Sequence, residues 1–158
     1  MKLRTISAVS LAAMGFATLA IAGGHGQSAE DKAIGARNAQ MELYSFNLGQ
    51  LGAMAKGAAP YDAEVAAAAA ANLAAVAQLD QSQFWPAETD NFASDKTRAL
   101  PAIWSNMADF EAKSQALSDA AVKLAAAAGT DLDALKAGLG DVGGACSACH
   151  KAYRAPKN

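Results

Sequence analysis

The chain has 158 residues, 43 of them alanine, with 53% apolar residues, 18% charged residues, 6% aromatics and a formal net charge of −2. That length predicts one domain with a core of ordinary size; the apolar content excludes a disordered chain, and the near-neutral charge lacks the basic footprint that nucleic-acid binding needs. So many alanines point to helices rather than sheet, yet alanine buries little area per residue, so something else has to help fill the core.

Lys2 and Arg4 open the chain, an apolar run follows from Ile6 to Ala22, and it closes on the small-residue triplet Ala20-Ile21-Ala22 before turning polar. That order predicts a secretory signal peptide over residues 1–22, cleaved near Ala22. The alternative is a membrane anchor, but a run of about 17 residues is only at the lower edge of a spanning helix. Cleavage removes two positive charges and no acid, taking the net charge from −2 to −4. Residues 23–158 are then expected as a soluble, exported domain, since no later segment is long and apolar enough to span a bilayer.

The first predicted helix runs from about Glu30 to Lys56. Ile34, Met41, Leu48 and Ala55 recur every seven residues, with Arg37, Tyr44 and Leu51 three places further on. That pattern reads as an a/d seam, closed by Gly57 and Pro60. Asp62 suits the N-cap of a second helix, about Ala63 to Leu79, in which Val65, Leu73, Val76 and Leu79 project from an alanine background. Residues 80–100 show no helical period and form a long connection, of a length that usually has a job. Pro101 suits the first turn of a third helix with a stripe of Ile103, Met107, Phe110, Leu117, Ala121, Leu124 and Ala128, stopped by Gly129. Thr130 with Asp133 resembles a capping box for the fourth helix. There Leu135, Leu139, Val142, Cys146, Cys149 and Tyr153 fall on one stripe. Short turns and one longer crossover fit an all-α, antiparallel four-helix bundle.

The chemistry is carried by Cys146-Ser147-Ala148-Cys149-His150, which holds both cysteines of the chain. The C-x-x-C-H pattern is that of c-type haem attachment: two thiols about one helical turn apart each bond one vinyl group, and the adjacent histidine ligates the iron. Three alternatives compete. A disulfide would close too short a loop to constrain much. A thioredoxin-like pair belongs beside a parallel sheet. A structural zinc site wants four ligands, and only His25 remains to help. For the other face of the iron, Arg37 and Met41 lie on one side of the first helix. Met41 on an apolar stripe is ordinarily core packing. A buried Arg37 needs an anionic partner, which a haem propionate would supply. Arg154, four residues past His150, suits the same role from the other helix, or is simply solvated. Phe84, Trp85, Phe92, Trp104 and Phe110 are expected to pack the core or wall the haem.

Over residues 30–155 the chain resembles the cytochrome c′ family, the class II c-type cytochromes, which are themselves reference examples of the four-helix bundle. Three stretches carry the resemblance: residues 51–57 (Leu51-Gly-Ala-Met-Ala-Lys-Gly57), residues 97–104 (Thr97-Arg-Ala-Leu-Pro-Ala-Ile-Trp104) and residues 146–154. The resemblance implies one covalent haem c on Cys146 and Cys149, with His150 as proximal ligand. It also implies Arg37 near a propionate, Arg154 on the proximal side and Met41 at the distal position. Most members keep that distal site vacant, five-coordinate and open to nitric oxide; a low-spin branch uses a methionine there as sixth ligand. Ser147 and Lys151 depart from the lysine and acid often found around the motif, which bears on the proximal electrostatics.

The functional expectation is a periplasmic haem protein that transfers electrons, binds small diatomic gases such as nitric oxide at a five-coordinate haem, or both. The alternative is a six-coordinate electron carrier with Met41 bound to iron, and a remote third is a non-haem exported helical interaction protein. No catalytic constellation supports an enzyme. A homodimer through the first two helices and redox protein partners are also expected, with no nucleic acid and no membrane after signal cleavage.

Overall fold

The computed structural model describes residues 27–157, so the expected signal peptide and its cleavage site lie outside the described residues. Within that range five helices follow in order: α1 (Ala29–Ala55), α2 (Ala63–Ala77), α3 (Ala102–Ser105), α4 (Met107–Ala127) and α5 (Leu132–Tyr153). The four long ones make the bundle, with α1 against α2, α2 against α4 and α4 against α5. Among the described residues no helix is long and apolar enough to cross a membrane.

Local signals set the helix ends. Ser28 accepts from the Asp31 N–H at 3.1 Å and starts α1, with Glu30 and Asp31 in the first turn favouring the positive end of the helix dipole. Gly57 ends it with φ +73, a conformation glycine adopts without penalty. Asp62 caps α2 as expected, accepting from the Glu64 and Val65 N–H groups at 3.0 Å each.

Several expectations are corrected, among them Phe92, which is exposed rather than packed in the core or against the haem cavity. The third helix is broken: Asn106, at φ −135 and ψ 47, separates the short α3 from α4. Buried Ile103, and a Trp104 indole donating to the Trp85 carbonyl at 3.1 Å, commit the short turn to the connecting segment rather than to the long helix. The cap of α5 is Asp131, accepting from the Ala134 N–H at 2.8 Å, not Thr130. The Thr130 N–H instead donates back to Ala127 in the turn that leaves α4.

The seam of α1 is also rotated from the expected one. Arg37, Tyr44 and Leu51 are buried, but their partner line is Gln40, Asn47 and Met54, not Met41, Leu48 and Ala55. Sequence patterning discounts Gln40 and Asn47 as polar. Their amide N–H groups are bonded inside the bundle: Gln40 to the Val76 carbonyl and Tyr44 hydroxyl, Asn47 to the Leu43 carbonyl. The turn of the seam leaves Met41 and Leu48 on its flank.

Alanine does much of the packing. In α2 the buried residues are Leu73 and five alanines, while Val65 is exposed. Ala66, Ala69 and Ala70 are therefore used inside the bundle. The apolar core has two parts: a large cluster around Leu51, Leu73, Leu124, Leu135 and Val142, and a smaller one of Ile103, Phe110 and Tyr153 with Trp85 and Trp104 against it. A cavity lies beside both.

Candidate haem site

The cavity has a volume of about 840 Å³, within the range of sites for cofactor-sized ligands. Its walls include all six residues singled out from the sequence: Arg37 and Met41 from α1, Cys146, Cys149 and His150 from α5, and Arg154 just past the end of α5. Leu48, Trp85, Ile103, Phe110, Leu117 and Tyr153 give it apolar walls.

The two cysteines sit in the last two turns of α5 as half-buried free thiols. Burial holds both thiols above their ordinary range, so they are protonated at neutral pH. Burial, and then the charges of Arg154 and Arg98, hold His150 below its ordinary value. The imidazole is thus neutral near pH 7, the form with a free lone pair for a metal. Among the described residues no group of three His, Cys, Asp or Glu side chains is placed to hold a metal ion directly.

Arg37 is 3% exposed. It donates to the Phe84 carbonyl at 3.2 Å, the Thr89 hydroxyl at 2.9 Å and the Thr89 carbonyl at 2.8 Å, and its guanidinium lies 4.5 Å from the centre of the Trp85 ring. The expected anionic partner is therefore replaced, within the protein, by neutral acceptors and an aromatic face. Arg37 forms no ion pair among the described residues, and desolvation draws its pKa down to about 10, still well above neutrality. A guanidinium has five N–H donors, so part of its capacity and all of its charge stay uncompensated on the cavity wall. Gln40 adds a buried, unpartnered Oε1 to the same wall. Two free thiols a helical turn apart, a neutral imidazole, apolar walls and an unneutralised cation fit an amphiphilic macrocycle with acidic substituents. With no group of three His, Cys, Asp or Glu side chains among the described residues, they do not fit a zinc site.

Several contributors escaped the sequence reading. Thr89 is fully buried, and its hydroxyl donates to the Pro86 carbonyl while accepting from Arg37. Its only sequence signal was its position after Pro86 in a long connection. Arg98, also on the wall, donates from its guanidinium to the Ala155 carbonyl, and the backbone pairs Ala99 with Arg154. This ties the segment after His150 to the connection before α3. Tyr153 donates its hydroxyl to Asp109, which anchors the haem-motif helix to α4. Arg154 itself is exposed, its backbone N–H bonded to His150.

The fold and site together define a c-type haem bundle, with the C-x-x-C-H pattern at the end of the last helix. The chain belongs to the cytochrome c′ family, whose model matches residues 32–154. It is 43% identical over 124 residues to cytochrome c-554 of Cereibacter sphaeroides, covering 78% of this chain and 81% of that one. Among solved structures it is similar to the cytochrome c′ from Rhodobacter spheriodes, with TM-score 0.79, 36% identity and coverage of 83% and 100%. It is also similar to a nitric oxide complex of a mutant cytochrome c prime from Alcaligenes xylosoxidans, with TM-score 0.72, 39% identity and coverage of 84% and 100%. Proteins of this family carry covalent haem c, and the paired cysteines here match that cofactor.

Proposed function

We propose that the chain carries one haem c through Cys146 and Cys149, with His150 as the proximal iron ligand, and works in electron transfer, in binding small diatomic gases at an open distal site, or in both. The supporting observation is that these three side chains share one cavity with Arg37, Met41 and Arg154. In attachment each thiol adds across one vinyl group: a sulfur–carbon bond forms, the carbon–carbon double bond becomes single, and the thiol hydrogen goes to the neighbouring carbon. When bound, the haem would supply a one-electron couple and an iron centre able to take small gases.

The chain's residues do the rest. Arg37 and Arg154 neutralise the propionates, Leu48, Trp85 and Phe110 exclude water, and Met41 covers the distal face. Met41 is 41% exposed and leaves room there for a small neutral diatomic, while bulkier ligands would have to displace it and Leu48. A solved nitric oxide complex of a mutant of a 39% identical relative supports gas binding in this fold. A second reading, with Met41 as sixth ligand of a low-spin electron carrier, is favoured by one observation: Met41 sits off the packed seam, on the wall that His150 also lines. Axial methionine would raise the reduction potential.

Export by residues 1–22 to the periplasm and a homodimer over α1, where Leu43 and Phe46 are exposed, complete the proposal; cell fractionation and sedimentation test them. The deciding experiment is denaturing electrophoresis with haem staining of protein matured in the periplasm. Haem should stay with the chain and be lost in Cys146→Ala/Cys149→Ala; an unstained wild-type chain overturns the reading. Spin state then separates the two forms. Met41→Ala should leave high-spin iron unchanged if the site is open, and convert low-spin iron to high-spin if Met41 is the ligand.

A further inference from the structure

A second cavity, of about 700 Å³, adjoins the first. The two share the residues that part them: Gln81, Trp85, Phe110 and Ser114. At its outer end Asp80, Ser82 and Glu111 are exposed, whereas Phe110 at the inner end is buried. It therefore leads from solvent to the wall of the haem cavity.

Ser114 is out of character at its position. Met107, Ser114 and Ala121 on α4, and Ala128 at its C-cap, follow one another at heptad spacing, beside the line of Phe110, Leu117 and Leu124. Ser114 alone among them is polar, and a serine leaves open the volume a leucine would fill there. Its hydroxyl accepts from Gln81 Nε2 at 3.3 Å, and Gln81 Oε1 accepts from the Trp85 indole N–H at 3.4 Å. Both distances lie beyond the usual hydrogen-bond range. Gln81 belongs to the connection rather than to a helix, so it can swing without disturbing the bundle.

We infer that the second cavity is a side entrance to the haem cavity for small neutral diatomic molecules, with the Gln81–Ser114 contact as its gate. The acidic Asp80 and Glu111 at the mouth disfavour anions and leave neutral molecules unaffected. The inference rests on the haem reading above, and haem staining tests that part separately.

The probe is carbon monoxide, rebinding to the reduced, haem-loaded protein after flash photolysis. Each variant is measured in the wild-type and Met41→Ala backgrounds, so that release of a sixth ligand cannot mask the rate of entry. Ser114→Ala removes the gate's acceptor and should raise the second-order rate about threefold, the low end of what one hydrogen bond contributes because the contact is long. Ser114→Leu fills the opening and should lower the rate by about the same factor or more. Should Ser114→Leu fail to fold, Gln81→Ala takes its place and should match Ser114→Ala. Haem held normally, with all rates within about twofold of the parent, overturns the entrance and leaves the haem reading standing.

Discussion

Gly138 stands where α5 comes close to α4, and alanine there sets two effects against each other. A Cβ at this position would lie 2.7 Å from Leu124 Cδ1 and 3.3 Å from Leu124 Cα and Cβ. Leu124 is fully buried, so its side chain has no free space into which to withdraw. Overpacking of this kind costs about 1–3 kcal/mol, whereas replacing a helical glycine by alanine gains about 0.5–1 kcal/mol. The clash should win, with Gly138→Ala less stable by about 0.5–2 kcal/mol. Gly140, two residues on in the same helix, faces open space: a Cβ there would meet nothing within 4 Å, so Gly140→Ala should gain about 0.5–1 kcal/mol. The two variants should differ in Tm by several degrees, about 3–10 °C. Thermal and urea unfolding by circular dichroism, on samples matched for haem content, reads this directly, with an unchanged urea m-value. Gly138→Ala as stable as Gly140→Ala would refute the close packing of α4 on α5.

Arg37→Leu removes three hydrogen bonds and leaves the buried Thr89 carbonyl unpaired, while the Thr89 hydroxyl keeps only its bond to Pro86; it should cost about 2–4 kcal/mol in denaturant unfolding, with Arg37→Lys recovering only part because an ammonium lacks the planar fork. A loss under about 0.5 kcal/mol would show that Arg37 does not hold the 84–89 segment. The Tyr153 hydroxyl, helped by Lys113, holds the Asp109 carboxyl below the usual carboxylate range. That contribution is present above the unfolded pKa of about 3.9 and is lost as pH falls through the lower folded value. Asp109→Asn should flatten the acid limb of the Tm–pH curve, and an unaltered limb would count against the bond. Finally, the haem-free chain should unfold at markedly lower temperature than the haem-loaded one, because a cavity of about 840 Å³ adjoins its core; equal Tm values would make the alanine bundle self-sufficient.

The placing of the C-x-x-C-H pattern on the last helix, the Asp62 cap and the order of the four long helices were legible because each rests on local spacing. The seam of α1 was legible only in part. Periodicity sorts residues by polarity, and Gln40 and Asn47 are buried through amide bonds to the Val76 and Leu43 carbonyls that no local pattern announces. The break at Asn106 was hidden for a related reason: the apolar stripe runs on through it from Ile103 to Phe110, while the cause lies in the Trp104 bond to Trp85, 19 residues away in sequence. Arg37 is visibly out of place on a buried stripe, but no local pattern points to Thr89, 52 residues distant, as its partner. Local signals were readable; long-range polar pairing was not.

The alanine faces of α2 have a consequence for mutational tolerance. Ala66 and Ala70 are completely buried, and Ala69, Ala74 and Ala77 nearly so, so the neighbouring backbones have been drawn in to the radius of a methyl group. Such positions have no conservative replacement: glycine loosens the helix, and any larger side chain overpacks the contact. Sequence drift in this helix should be confined to its outward residues, such as Val65, Ala68 and Ala71, and a library randomising the helix should return its inner alanines almost unchanged.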